Sequence, residues 1–187
     1  MLTAAAYDLH MDQLLDRMRR FHHALNAAGI PYRIVGGLAV FTHIFEKDPM
    51  KARATRDVDA AVERSDLGRI TAAAEQSGFR YRHVAGVDML VDAESPSAKS
   101  AIHLIFVKEK VRAEYSEVIP ASEPVRSSEG ILFAPVADLV RMKLTSFRLK
   151  DKVHVQDMDG VGLITPEIEA GLPQLLRERL AEVRATE

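Results

Sequence analysis

Apolar residues recur at Leu14, Leu15, Met18, Phe21, Leu25 and Ala28. That three-and-four spacing predicts an amphipathic helix over about residues 9–28, with Gly29 as its stop and Pro31 preventing continuation. Residues 32–35 read as a short buried strand that ends at Gly36-Gly37 and runs into a second helix over 38–45. Residues 46–56 are polar, contain Pro49 and carry Lys51, Arg53 and Arg56, which predicts a loop. Val58, Ala60 and Val62 then alternate with Asp57, Asp59 and Ala61, the period of a strand. Ser65 caps a helix whose apolar stripe is Leu67, Ile70, Ala73 and Ala74, and Gly78 ends it.

Residues 79–84 and 87–91 predict a hairpin turning at Ala85-Gly86. The run Ala-Ile-His-Leu-Ile-Phe-Val at 101–107 is the most apolar strand and should be central in the sheet. Residues 109–130 are polar with Pro120 and Pro124, so irregular structure is expected there. A strand over 131–133 leads through Pro135 into a helix over 136–148, and shorter helices follow, one of them near 173–183. This alternation predicts an α/β (α+β) fold, a mixed sheet flanked by helices with a short helical C-terminal part. A length of 187 residues suggests one domain, 1–187, with a core over about 30–160 and a helical extension over about 161–187.

Composition narrows the chemistry. There is no cysteine, so disulfides, thiolate nucleophiles and cysteine-based zinc sites are excluded. The formal net charge of −2 lacks the basic excess of a nucleic-acid footprint. No apolar run approaches the roughly 20 residues that cross a bilayer, and no signal-peptide pattern opens the chain. No membrane partner and a cytoplasmic location are the expectations.

Three features line up in order. Gly36-Gly37 joins a strand to a helix, where glycine lets backbone approach a phosphate and the helix start offers free amides. Asp57 and Asp59 sit two residues apart on a strand, so both side chains project to one side. Two carboxylates there repel unless a cation lies between them, and magnesium, which shares oxygen ligands with substrate phosphates, is the natural choice. Arg53, Thr55 and Arg56 immediately precede the pair and could grip a triphosphate.

The segments VGGLAV at 35–40, ATRDVDAAV at 54–62 and RMKLTSFRLKD at 141–151 together resemble the polymerase-beta-like nucleotidyltransferase superfamily. The likeness is to its minimal bacterial branch, which includes abortive-infection toxin subunits, and covers roughly residues 30–160. It implies a nucleotidyltransferase fold and transfer of a nucleoside monophosphate from a nucleoside triphosphate to an acceptor. The acceptor would be a small molecule, a protein hydroxyl or an RNA end, and the toxin-like branch implies an antitoxin-like protein partner. Carried over, Gly36, Gly37, Thr55, Arg56 and Lys143 bind nucleotide, while Asp57 and Asp59 hold Mg2+.

The gap between Gly37 and Asp57 is longer than in that pattern, and His103 stands where a third carboxylate is expected. His103 thus takes the third catalytic and metal position, where an imidazole suits Mn2+ or zinc better than Mg2+.

Plainer readings stand beside these. Gly36-Gly37 can be only a tight turn, Asp57 and Asp59 a solvated strand edge, and His103 a hydrogen-bonded core histidine. Lys143 and Arg148 can be a solvated helix face, Asp151 a partner of a neighbouring cation, and Thr55 and Arg56 ordinary loop residues. The remaining histidines show no metal-ligand spacing, and no Walker, G-x-S-x-G or dinucleotide motif is present. The competing function is a catalytically weak or inactive member of the same fold, acting as a nucleotide-binding or protein-interaction module. Nucleic-acid binding without catalysis is a third reading, against which the near-neutral charge speaks.

Overall fold

The first amphipathic stretch forms one helix, α1 (Ala4–Ala27), which buries Leu14, Met18, Phe21 and Leu25. The computed structural model describes residues 4–53, 55, 57–94, 96–97 and 100–186. Gly29 follows α1 at φ +60, a left-handed conformation that glycine adopts without a Cβ penalty. The chain turns there into β1 (Tyr32–Val35), and Phe21 packs edge-on against Tyr32 with ring centroids 5.3 Å apart.

The described residues form a seven-stranded sheet. Its remaining strands are β2 (Val58–Val62), β3 (Phe79–Val84), β4 (Val87–Asp92), β5 (Ile102–Phe106), β6 (Val125–Arg126) and β7 (Leu132–Phe133), in the order β3-β4-β5-β2-β1-β7-β6. The sheet is mixed: β2 runs antiparallel to β1 and parallel to β5, while β3 and β4 form the expected antiparallel hairpin. Strand β5 is interior, as its apolar run predicts, and β2 takes the middle position. Along β5, Ile102, Leu104 and Phe106 are buried while His103 and Ile105 are half-buried. The periodicity therefore puts His103 on the less covered face.

Helices flank this sheet. They are α2 (Gly36–Lys47), α3 (Leu67–Gln76), α4 (Val136–Ser146), α5 (Leu149–Gly160), α6 (Pro166–Ala170) and α7 (Gln174–Arg184). Helix α3 packs on β3 and α1, whereas α2 lies on β1 and β2 and meets α4 and α5, which in turn meet α7. The helix expected over 136–148 stops earlier, at Ser146, because Phe147 enters the left-handed region at φ +51. Arg148 then caps α5: its amide donates to Asp151 Oδ2 at 3.3 Å. The main cluster of buried apolar side chains runs from Leu14 in α1 to Val183 in α7. No described helix is long and apolar enough to cross a membrane.

Candidate functional site

Strand register assembles the site. Val35, the last residue of β1, pairs with Asp59 on β2, and Asp59 pairs with His103 on β5. Paired residues share a face, so Asp59 and His103 sit side by side next to the point where β1 becomes α2. Asp57 lies two residues before Asp59, just ahead of β2, and is half-buried.

The two glycines have separate steric reasons. Gly36 has φ +70, and a Cβ on it would lie 2.0 Å from Asp59 Oδ2, so only glycine lets the carboxylate stand there. A Cβ on Gly37 would lie 2.6 Å from Thr55 Oγ1 and 3.6 Å from His154 Cε1. The backbone of the strand–helix junction is thus pressed against one site carboxylate and one site hydroxyl. Helix α2 starts at Gly36 with no side-chain cap and no acidic residue in its first turn, so its first amides have no intrahelical or capping partner.

His103 Nδ1 lies 3.3 Å from Asp59 Oδ1. The hydrogen bond to Asp59 raises the imidazole pKa, against burial, and the charges of Asp59 and Asp57 add to it. An imidazolium here offsets part of the repulsion between the two carboxylates.

Lys143 is buried rather than on a solvated helix face. Its Nζ donates to Asp151 Oδ1 at 3.1 Å, and Asp151 is fully buried. Ser146 Oγ and Arg148 Nε donate to the other carboxylate oxygen at 2.8 and 2.6 Å. Burial lowers the lysine pKa while Asp151 and, more weakly, Asp59 oppose it. Lys143 is therefore held electrostatically between a structural carboxylate and a site carboxylate.

Gly36, Asp59, Met142, Lys143 and Arg148 are among the residues that line a cavity of about 550 Å³. Arg64, Asp88 and Tyr115 line the same cavity. Arg64 grips Glu109 through two hydrogen bonds of 2.6 Å and covers the Phe106 ring at 3.7 Å.

The structure thus brings together Gly36, Gly37, Thr55, Asp59, His103 and Lys143 around the β1–α2 junction, with Asp57 beside them. Arg53 is turned away to α5, where its Nε lies 2.8 Å from Asp157 Oδ2. Arg56 lies outside the described residues. Sequence reasoning gave His154 no role. Its four-residue spacing from Lys150 on a helix was visible, but its approach to Gly37 is a tertiary contact.

Among the described residues no three His, Asp or Glu side chains form a ready-made metal cage. Asp59 on β2 and Asp57 just ahead of it nevertheless fit magnesium, which takes one or two carboxylates and completes its shell with water and substrate phosphates.

No protein-family model matches the chain, and no curated protein matches it. Among solved structures it is similar to the solution structure of the antibiotic-resistance factor ANT(2'')-Ia, with 14% identity and a TM-score of 0.48 over 94% of this chain and 84% of that one. It is also similar to crystalline ANT(2'')-Ia in complex with adenylyl-2''-tobramycin, with 13% identity and a TM-score of 0.47 over 90% of this chain and 92% of that one. The Megavirus polyadenylate synthase is similar at 8% identity and a TM-score of 0.45, over 100% of this chain and 36% of the longer one.

Proposed function

We propose that this chain is a metal-dependent nucleotidyltransferase of the polymerase-beta-like kind, moving a nucleoside monophosphate from a nucleoside triphosphate to a hydroxyl-bearing acceptor. The observation that carries this reading is the fit of Gly36 against Asp59, where a Cβ would meet the carboxylate at 2.0 Å. A plain turn does not need that contact. A site that must bring polyphosphate, helix amides and carboxylates together does.

In this reading the first amides of α2 and the Thr55 hydroxyl hold the phosphate chain. Asp57 and Asp59 would hold a divalent cation, which supplies charge neutralisation at the transferring phosphorus. An acceptor oxygen forms its bond to the α-phosphorus as the bond to the bridging oxygen breaks. Pyrophosphate leaves with that electron pair. In its neutral form His103, held by Asp59, is placed to take the acceptor's proton, and the raised pKa favours the imidazolium that results. Lys143 adds fixed positive charge on the cavity side, where phosphate charge accumulates.

The test is calorimetric titration of each nucleoside triphosphate, first with Mg2+ and then with Mn2+, against wild type, Asp57→Asn and Asp59→Asn. Metal-dependent binding that falls by about 100-fold or more in either variant supports the site. Binding that ignores both substitutions overturns it. Tight binding without turnover of any labelled triphosphate would instead favour a nucleotide-binding module on this fold.

A further inference from the structure

One polar group beside the glycine junction takes no part in the reaction just described. His154 sits on α5, one helical turn after Lys150, and reaches across to α2. Its Cε1 comes within 3.6 Å of the place a Gly37 Cβ would occupy. Cε1, the carbon bonded to both ring nitrogens, is the His154 atom nearest that place. Nδ1 is buried and, among the described residues, has no hydrogen-bond partner. A buried ring nitrogen left in that state costs free energy. Thr55 Oγ1 approaches the same point at 2.6 Å. The start of α2, a hydroxyl and an imidazole therefore adjoin one spot that any side chain at position 37 would fill.

We propose that His154 is a binding residue for the polyphosphate chain of the nucleoside triphosphate, donating a hydrogen bond from a ring nitrogen to a phosphate oxygen. The inference rests on the nucleotidyltransferase reading and adds to it a contact that discriminates triphosphate from monophosphate. Position decides the discrimination: His154 adjoins Gly37 and Thr55, whereas Asp59 and His103 lie on the sheet side of Gly36.

The electrostatic surroundings agree. Burial and then Lys143 of α4 hold the ring neutral, down to about 4. Asp151 opposes them, and Lys150 and Arg148 add to the lowering. The strap before β2 brings Arg53, which is paired with Asp157 of α5, and α2 brings no charge in its first turn. On the α7 side, Glu182 and Arg184 are engaged with Lys152 and Asp159. A polyanion seated against this ring adds the negative charge that the cluster lacks, so the ring takes up a proton as phosphate binds.

The experiment is calorimetric titration of wild type, His154→Gln and His154→Leu with nucleoside triphosphate, inorganic tripolyphosphate and nucleoside monophosphate. Each is run in Mg2+ near pH 6, in two buffers of different ionisation heat. The inference expects the leucine variant to lose about tenfold or more in affinity for both polyphosphates and little for the monophosphate. Wild type should absorb a proton on binding, which neither variant does. An unchanged triphosphate affinity, an equal loss for monophosphate, or no proton uptake by wild type overturns it. Should the leucine variant fail to fold, the glutamine variant and the wild-type proton count still decide. Triphosphate binding that requires Asp59 but ignores His154 sinks this inference alone. No metal-dependent nucleotide binding by wild type sinks the nucleotidyltransferase reading and this inference with it.

Discussion

At position 151 a carboxylate without solvent exposure collects Lys143 Nζ, Ser146 Oγ and Arg148 Nε. Burial by itself would raise its pKa, but Arg148, Lys143 and Ser146 outweigh it and hold the group down to about 2. A folded pKa below the unfolded value of 3.8 means stability that is present above that value and lost as pH falls toward 2. Asp151→Asn leaves the Lys143 ammonium buried without its countercharge, so urea denaturation at pH 7 should show a loss of about 3–5 kcal/mol. The difference between wild type and variant should narrow by about 2 kcal/mol between pH 4 and pH 2, as the wild-type carboxylate protonates. A constant difference across that range would mean that the network does not depend on the Asp151 charge. The sequence showed only a lysine–aspartate step after an arginine. Lys143, on the preceding helix, reaches the carboxylate because Phe147 breaks the helix and folds α5 back on α4.

Strands differ in what they contribute. Strand β5 is bordered on both sides, and Leu104 is 3% exposed within the main cluster. Leu104→Ala should cost about 2–5 kcal/mol by urea denaturation, from lost transfer free energy and the cavity left behind. Val125, on the two-residue edge strand β6, is exposed, and Val125→Thr should stay within about 0.5 kcal/mol. Similar losses at both positions would contradict the burial pattern. The segment between α2 and β2 shows the opposite limit of pattern reading. Its polarity and Pro49 predict a loop, but α2 runs on to Lys47 and Pro49–Lys51 form a single 3-10 turn. Its path is set by long-range contacts: Lys51 Nζ donates to Gly160 O at 3.3 Å and Arg53 pairs with Asp157. These contacts bind the strap to α5, and with it Thr55 comes against Gly37.

Across the molecule, α7 is joined to the rest by apolar burial and by ion pairs. Leu176, Leu180 and Val183 belong to the same buried cluster as β1, β2 and β5. Arg179 NH1 also donates to the carbonyls of Leu144 and Thr145 at 2.6 and 2.9 Å, at the end of α4. Fully burying each such apolar side chain contributes about 1.5–3 kcal/mol, against a total stability of about 5–15 kcal/mol for a domain. Ending the chain after Gly171 should therefore abolish the cooperative thermal transition, read by circular dichroism. A sharp transition in the shortened chain would show that α7 is a separable extension and not part of the core.

The amino-acid pattern alone determined the α/β class, the strand–helix junction at Gly36-Gly37, the hairpin at Ala85-Gly86 and the interior place of the 101–107 strand. These follow from local signals: a period of two or 3.6, and glycine where φ turns positive. Tertiary structure decided the rest. Strand order and register, which no local pattern encodes, set His103 beside Asp59. Packing of α4 and α5 buried Lys143 against Asp151, and the same packing carried His154 to Gly37. The physical reason is separation along the chain. Asp59 and His103 are 44 residues apart, so their meeting depends on how the whole sheet closes its core and not on any segment's own preference.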